Sequence, residues 1–413
     1  MFKAIKSIKS SFDYGKFFIV HILGLIAVPM YFIGGNALIL WGVFSLVLVV
    51  GGELFFGKDE SDWNFKYPNL FYPLQYLAVI ATAVSEIALI WLIAAPEHDM
   101  FGLGAAFQSV FSIDVMAARA NADFFFLGTA IVFSGAVIAI GSVVVGHELT
   151  HRKNKPFAHW MGRISQVPGF FTYFSIRHPY GHHNLVATPA DPATAQRGDN
   201  YYSFSTRSII GQYKMTWDLE KERLDRMGFE TWTWRNEALR GWAMETVWAV
   251  TMIYFAGLWA VPVLIAMAIA SHYALEAANF IEHYGLIRIP SEPMQVRHAW
   301  NSNERMALWV IGGVPRHSHH HADADVEFWH LKPYVEEAPT TILGYIPSML
   351  IALVPPLWHE IMNARLIQWD NENASPEERL LAIEASRNSG QAILVRHADE
   401  MEALLLKDKE LAA

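Results

Sequence analysis

The sequence predicts an all-α integral membrane protein, with six transmembrane helices beneath a histidine-rich cytoplasmic cap. Composition is the first observation behind that reading: 53% of the chain is hydrophobic and only 17% charged, against about 25% charged in ordinary soluble domains. The second is a series of apolar stretches of bilayer-spanning length. The third is the crowding of ten of the 18 histidines into four short clusters.

The apolar stretches cover 17–33, 37–56, 71–95, 124–145, 242–260 and 262–281. A hydrocarbon core about 30 Å thick takes about 20 residues of helix to cross, so each stretch is read as one span. Lys3, Lys6, Lys9 and Lys16 stand at the first, Lys58 and Lys66 follow the second, and 146–241 is rich in Lys and Arg. By contrast, 34–36 has no basic residue, and 96–123 sets Arg119 alone against Glu97, Asp99, Asp114 and Asp123. Basic loops stay cytoplasmic, which places both termini and every histidine cluster on that side. The first stretch has no small-residue cleavage site and runs almost directly into the second, so it reads as a retained anchor rather than a secretory signal.

One domain, 1–413, is expected, its cap assembled from 146–241 and 284–362 and followed by a polar tail, 363–413. Pro168-Gly169 breaks the apolar run 157–176, which reads as interfacial or re-entrant. Pro347, Pro355 and Pro356 interrupt 341–362, so that segment is not counted as a seventh span. The tail carries a helix start at Ser375-Pro376, with Glu378 completing a capping box, and is expected to be solvated.

The chain has no cysteine, which excludes an iron–sulfur cluster, a rubredoxin-type iron, a Cys-zinc site and disulfides. Electrons for any redox chemistry must come from another protein. The net charge of -9 is spread along the chain without a basic stripe, so nucleic acid is not an expected partner.

The clusters are His147-Glu-Leu-Thr-His151, His178-Pro-Tyr-Gly-His182-His183, Glu282-His283 and His317-Ser-His319-His320-His321. Positions three or four apart share a helix face and can converge on one centre, and neutral imidazole is the commonest metal ligand. So many converging donors exceed the needs of one ion, and two metals are the economical reading. His147 and His283 end spans four and six and so reach the same membrane depth. Imidazole suits zinc, copper, nickel and iron alike. A polynuclear centre beneath an apolar bundle implies a greasy substrate, and oxidising unactivated carbon requires a redox metal that binds dioxygen, so iron is favoured.

His147-Glu-Leu-Thr-His151-Arg, Gly181-His182-His183 with 186–194 after it, Asn279-Phe-Ile-Glu-His-Tyr-Gly285 and Arg316-His-Ser-His-His-His321 together resemble the integral-membrane non-haem diiron alkane monooxygenases, a group that includes the xylene hydroxylases. The resemblance covers essentially the whole chain. It implies six spans in a bacterial-type inner membrane and two non-haem irons cycling between Fe2+ and Fe3+. It also implies O2-dependent hydroxylation of an alkane's terminal methyl group, with electrons from rubredoxin and its NADH-dependent reductase. Nine positions match the family's ligands: His147, His151, His178, His182, His183, His283, His317, His320 and His321. His319 departs from the usual pattern, and 58–69 departs from the family's acidic, proline-rich loop, which leaves substrate range open.

Charge extends the reading beyond the nine. Two ferrous ions held by neutral imidazoles need nearby carboxylates to orient imidazole N–H groups and offset charge, and Asp191 and Glu282 are the candidates. His319, about 100° around the helix from His320, is expected to face away from the metals. Glu148 likewise faces away from His147, against a zinc-peptidase role. His272 and Glu276 share a span face with His283 and could satisfy each other, which disfavours direct ligation. His21, His98, His159, His298, His330, His359 and His397 lack ligand spacing, although His298 could stand behind a ligand. Trp41, Phe44 and Phe55 read as packing or lipid-facing before they read as walls of a substrate passage. A hydroxylase of alkyl-aromatic methyl groups and a fatty-acyl desaturase stay open as alternatives. A metal transporter would want ligands at the bilayer midplane, whereas these gather at one face.

Overall fold

The computed structural model describes residues 12–94 and 99–412; Lys3, Lys6, Lys9, Glu97 and His98 lie outside them. Among the described residues there is no sheet, only two isolated bridges. Five helices are long and apolar enough to cross a membrane: α1 (Phe12–Ile33), α2 (Ala37–Phe55), α3 (Pro68–Ile93), α6 (Phe124–Thr150) and α10 (Ala260–His283). Two short helices, α4 (Leu103–Phe111) and α5 (Val115–Ala120), fold the connection between α3 and α6, which the sequence reading left as loop.

The sixth predicted span, 242–260, corresponds to α9 (Glu237–Ala256), which starts earlier and stops sooner. Its start is fixed by Asn236, whose side chain accepts from the backbone N–H of Ala238 and Leu239, an N-cap that propensity alone does not date to the residue. Its 20 residues rise about 30 Å. The first half carries Glu237, Arg240 and Glu245, and buried Glu245 accepts from both the N–H and the hydroxyl of Thr172 at 2.8 and 2.6 Å.

Close approach of α6 to α10 rests on Gly135, where a Cβ would stand 2.8 Å from that of Ala270; small residues at such crossings let membrane helices pack backbone to backbone. Towards its end, α6 passes through a π-helical stretch, Val137–Val143, before its last turns carry His147. The start of α1, the end of α2, the start of α3 and the ends of α6 and α10 lie at one end of the bundle. There, Phe17 packs on Phe328 at 5.4 Å and Phe71 stacks on Trp329 at 5.0 Å. The Arg316 guanidinium donates to the Asp59 and Ser61 carbonyls, both at 2.8 Å, and covers the Trp63 ring at 4.0 Å. The 58–69 loop is thereby pinned against the segment that bears His317.

The cap contains α7 (Pro156–Ser165), stopped by a turn through Pro168 as the sequence predicts, and α8 (Tyr201–Arg226), α11 (Arg305–Val310) and α12 (His317–Ala322). It continues through α13 (Tyr345–Ala352) and α14 (Pro355–Glu372), neither of which is long and apolar enough to span.

The expectation of a solvated tail is corrected. The end of α14, with α15 (Pro376–Arg387) and α16 (Ala392–Ala412), docks on the cap, and Leu366 and Trp369 are at most 1% exposed. The Arg197 guanidinium meets Asp370 in a fully buried two-pronged pair at 2.7 and 2.6 Å; removing one partner of such a pair costs about 3–5 kcal/mol. The capping box at Ser375 and Glu378 forms as read. Glu378 also reaches Arg297 at 3.2 Å and His298 at 2.6 Å, long-range partners that the low hydrophobicity of the tail does not announce.

Candidate metal centre

The nine predicted histidines come together, and they sort into two groups: His147, His151, His178, His183 and His320 in one, His182, His283, His317 and His321 in the other. Within each group the ring nitrogens lie within 4.8 Å of one another. Nε2 atoms face each other in pairs: His147–His320 at 2.8 Å, His178–His183 at 2.9 Å, His283–His317 at 3.1 Å and His182–His321 at 3.3 Å. Two ligands at right angles on a metal with bonds of about 2.1 Å have donors about 3 Å apart, so the spacing fits a shared ion in each group.

The sorting depends on local backbone. In an α-helix His178 and His182 would share a face, but Phe174–Arg177 runs into a π-helical turn, His178–His182. A π turn closes i to i+5 instead of i to i+4, which joins His178 to His183 and turns His182 towards the second group. The Gly181 of this turn packs on α8, where a Cβ would meet Met215 Sδ at 2.5 Å. Proton state agrees with ligand use: burial, followed by the neighbouring imidazoles, holds His178, His183, His317, His320 and His321 well below the ordinary histidine range, and metals bind neutral imidazole.

Asp191 and Glu282 stand where the charge argument expects them. His182 Nδ1 lies 2.8 Å from Asp191 Oδ2, which also accepts from the Thr194 hydroxyl at 2.7 Å; this fixes the ring so that Nε2 faces the group. Burial pushes the Asp191 carboxyl up, but His182, Arg177 and Thr194 outweigh it and bring it down to about 2. Glu282 Oε1 lies 3.2 Å from His317 Nδ1, close but not aligned as a hydrogen bond, and accepts from the Tyr345 hydroxyl at 2.6 Å. Tyr345 escaped the sequence reading because nothing in 341–352 resembles a site. Nδ1 of His183, His283 and His321 is buried without a partner among the described residues.

The other described histidines lie outside both groups. His319 does turn away, and it is buried, with Nδ1 accepting the Lys332 N–H at 2.7 Å. Glu148 pairs with Arg152 at 3.0 Å. His272 and Glu276 do not satisfy each other: His272 bonds the Gly169 carbonyl at 3.1 Å and stacks on Phe171, while Glu276 accepts from Gln212 at 2.6 Å. His298 is held by Glu378 and the Gln295 N–H, not by a metal-facing histidine. His21 and His159 bond the carbonyls of Gly141 and Thr150. His359 meets the Tyr284 hydroxyl, and His330 and His397 stand beside Glu327 and Asp370.

A narrow apolar cavity ends on both groups, at His147 and His178 of one and His182 and His317 of the other. Its walls come from the π-helical stretch of α6 (Ala139, Ile140, Val143), from α10 (Leu275, Ala278) and from α13 (Ile346, Met349). Trp41, Phe44 and Phe55 take no part in it; Phe44 and Phe55 are 53% and 82% exposed, as lipid-facing side chains would be.

Comparison with known proteins agrees with this architecture. Residues 123–349 match the fatty acid desaturase family. The alkane 1-monooxygenase of Acinetobacter baylyi is 35% identical over 58% of this chain and 59% of its own length. The alkane 1-monooxygenase of Pseudomonas putida is 34% identical over 83% of this chain and 80% of its own. Alkane 1-monooxygenase 1 of Alcanivorax borkumensis is 35% identical over 81% and 78%. With the family match spanning more than half of its residues and two relatives aligned over about four-fifths of their length, the chain belongs to the membrane family that unites fatty acid desaturases with the alkane 1-monooxygenases.

Proposed function

We propose that the chain is an alkane 1-monooxygenase, hydroxylating the terminal methyl group of an alkane with O2 at a pair of non-haem irons. The observation that carries this reading is the cavity: a slot with an almost wholly apolar lining, ending on imidazoles from both groups, gives an unfunctionalised hydrocarbon one way to lie and puts its end at the metals. His147, His151, His178, His183 and His320 would hold one iron and His182, His283, His317 and His321 the other, with Asp191 orienting the His182 ring and Glu282 standing beside His317. The donors fit, since all are neutral nitrogen and positions remain for oxygen. When bound, the irons supply the oxidising power to break a methyl C–H bond.

The protein's part is positional. Val143, Leu275 and Ile346 hold the chain end in a near-attack geometry, and their packing keeps water from a reactive oxidant. Asp191 holds His182 in one tautomer. Without cysteine the chain takes electrons from outside, and a rubredoxin with its NADH-dependent reductase is the expected donor. It would dock at the cytoplasmic face of the inner membrane, where the residues around His151 and His183 meet solvent.

The test is anaerobic reconstitution with ferrous iron and a rubredoxin system, then product analysis on octane, p-xylene and a fatty-acyl substrate. The expected product is 1-octanol. A desaturated acyl chain as the main product would replace this reading with the desaturase one, and benzylic alcohol in large excess with the alkyl-aromatic one.

A further inference from the structure

The interior of α8 is built against the usual rule. A surface helix buries an apolar stripe, yet α8 buries Ser205, Ser208, Gln212, Thr216 and Glu220, none more than 3% exposed. Spacings of three and four residues put these five side chains on one face. From Ser208 to Glu220 the seam runs about 18 Å.

Each end of the seam meets something specific. At the outer end, Glu220 accepts from the half-exposed Arg223 at 2.8 Å and from the Glu237 N–H at 2.7 Å, at the start of α9 where that helix meets the cap. At the inner end, Gln212 donates to Ser208 at 2.7 Å and to Glu276 at 2.6 Å. Glu276 also accepts from Asn279 at 3.2 Å, and Asn279 lines the reaction cavity. Beside this junction Arg177 donates to Gln212 at 2.5 Å. Arg177 Nε and Nη1, Glu276 Oε2 and the Tyr173 hydroxyl are all buried with no hydrogen-bond partner among the described residues. Converging orphan groups of this kind are the usual hosts of ordered water.

Hydroxylation needs such a route. The balanced reaction is RH + O2 + 2 electrons + 2 protons giving ROH + H2O, with the electrons from the external carrier. The cavity wall is mostly aliphatic, and Asn279 is its polar side chain that leads away from the histidines, since Glu282 and Tyr345 bond to each other. We propose that the buried seam of α8, with water held at its orphan groups, is the proton supply of the site, with Glu276 as its inner relay handing protons to bound water beside Asn279 at the cavity. This rests on the hydroxylase reading.

The test takes the iron-loaded protein with its reduced carrier and octane. Glu276→Gln is expected to keep its iron and thermal stability and to lose octanol formation by roughly 10²-fold, the low end for a positioned proton-transfer group. Its solvent deuterium isotope effect is expected to exceed that of the wild type, and Glu276→Ala should be partly rescued by formate. A fully loaded Glu276→Gln with wild-type rate and isotope effect would overturn the proposal. Independently of metal and turnover, infrared difference spectra of the iron-free protein follow deuterium exchange at the Glu276 carboxyl. Exchange is expected to slow in Thr216→Val, and an unchanged exchange rate there would also overturn it. A wild type that makes no octanol would defeat the hydroxylase reading, while the exchange measurement still judges the seam.

Discussion

The two histidine groups use the same side chain and differ in what stands behind it. The five-histidine group has, among the described residues, no carboxylate within ion-pair distance of any ring, whereas the four-histidine group has Asp191 and Glu282 beside His182 and His317. As metal sites, one would have donors to spare; the other would offset fewer donors with the carboxylates nearby. The tail favours the same side: Arg197, fixed by Asp370, donates to the Gly285 carbonyl at 3.0 Å, two residues after His283. The four-histidine site therefore depends on more of the fold, and is the one expected to fail first.

The largest effect should separate the groups directly. His182→Ala leaves three imidazoles and should abolish turnover with loss of one iron, whereas His151→Ala leaves four and should retain most of its iron with reduced turnover. Iron per chain and octanol formation measure both, and equal iron loss in the two variants would erase the distinction. A smaller effect is expected behind the ligands. Asp191→Asn should weaken iron binding or activity by about 10–100-fold, as for other groups that orient a metal-bound imidazole, while Glu148→Gln, engaged with Arg152, should leave iron affinity unchanged. Titration with a competing chelator compares them.

The smallest effect lies in the tail. Burial pushes the Glu378 carboxyl up, but His298, the Ser375 N–H and Arg297 outweigh that and bring it down to about 2, from an ordinary value of 4.5. A carboxyl depressed in the folded state stabilises it fully above its ordinary value, and that contribution is lost as pH falls through the folded one. Pepsin cleavage of the tail should therefore rise as pH falls from about 4.5 to about 2, and Glu378→Gln should flatten that dependence. A wild-type tail equally resistant across this window would show that the clasp contributes nothing.

Much of this was legible in the sequence because spans and clustered histidines are local patterns. Five spans, the ends that deliver His147 and His283, the nine converging imidazoles, and the choice of Asp191 and Glu282 as carboxylates beside them follow from length, spacing and charge. The exchange of His182 and His183 between groups does not, because α periodicity pairs His178 with His182 and only a π turn, supported by Gly181 against α8, pairs it with His183. The start of α9 was missed because Glu237 and Arg240 read as loop until Asn236 caps the helix. The docked tail was missed for a different reason: Arg197 and Asp370 are 173 residues apart, and a buried ion pair leaves no periodic trace.

Two unlike metal sites are proposed to meet at one apolar cavity. Mössbauer spectroscopy of the chain loaded with isotopically enriched ferrous iron tests it most directly. Two irons per chain are expected, giving two ferrous signals of equal area with different parameters, of which the His182→Ala variant loses one. One iron per chain at saturation, or an iron-free protein that still hydroxylates octane, would contradict it.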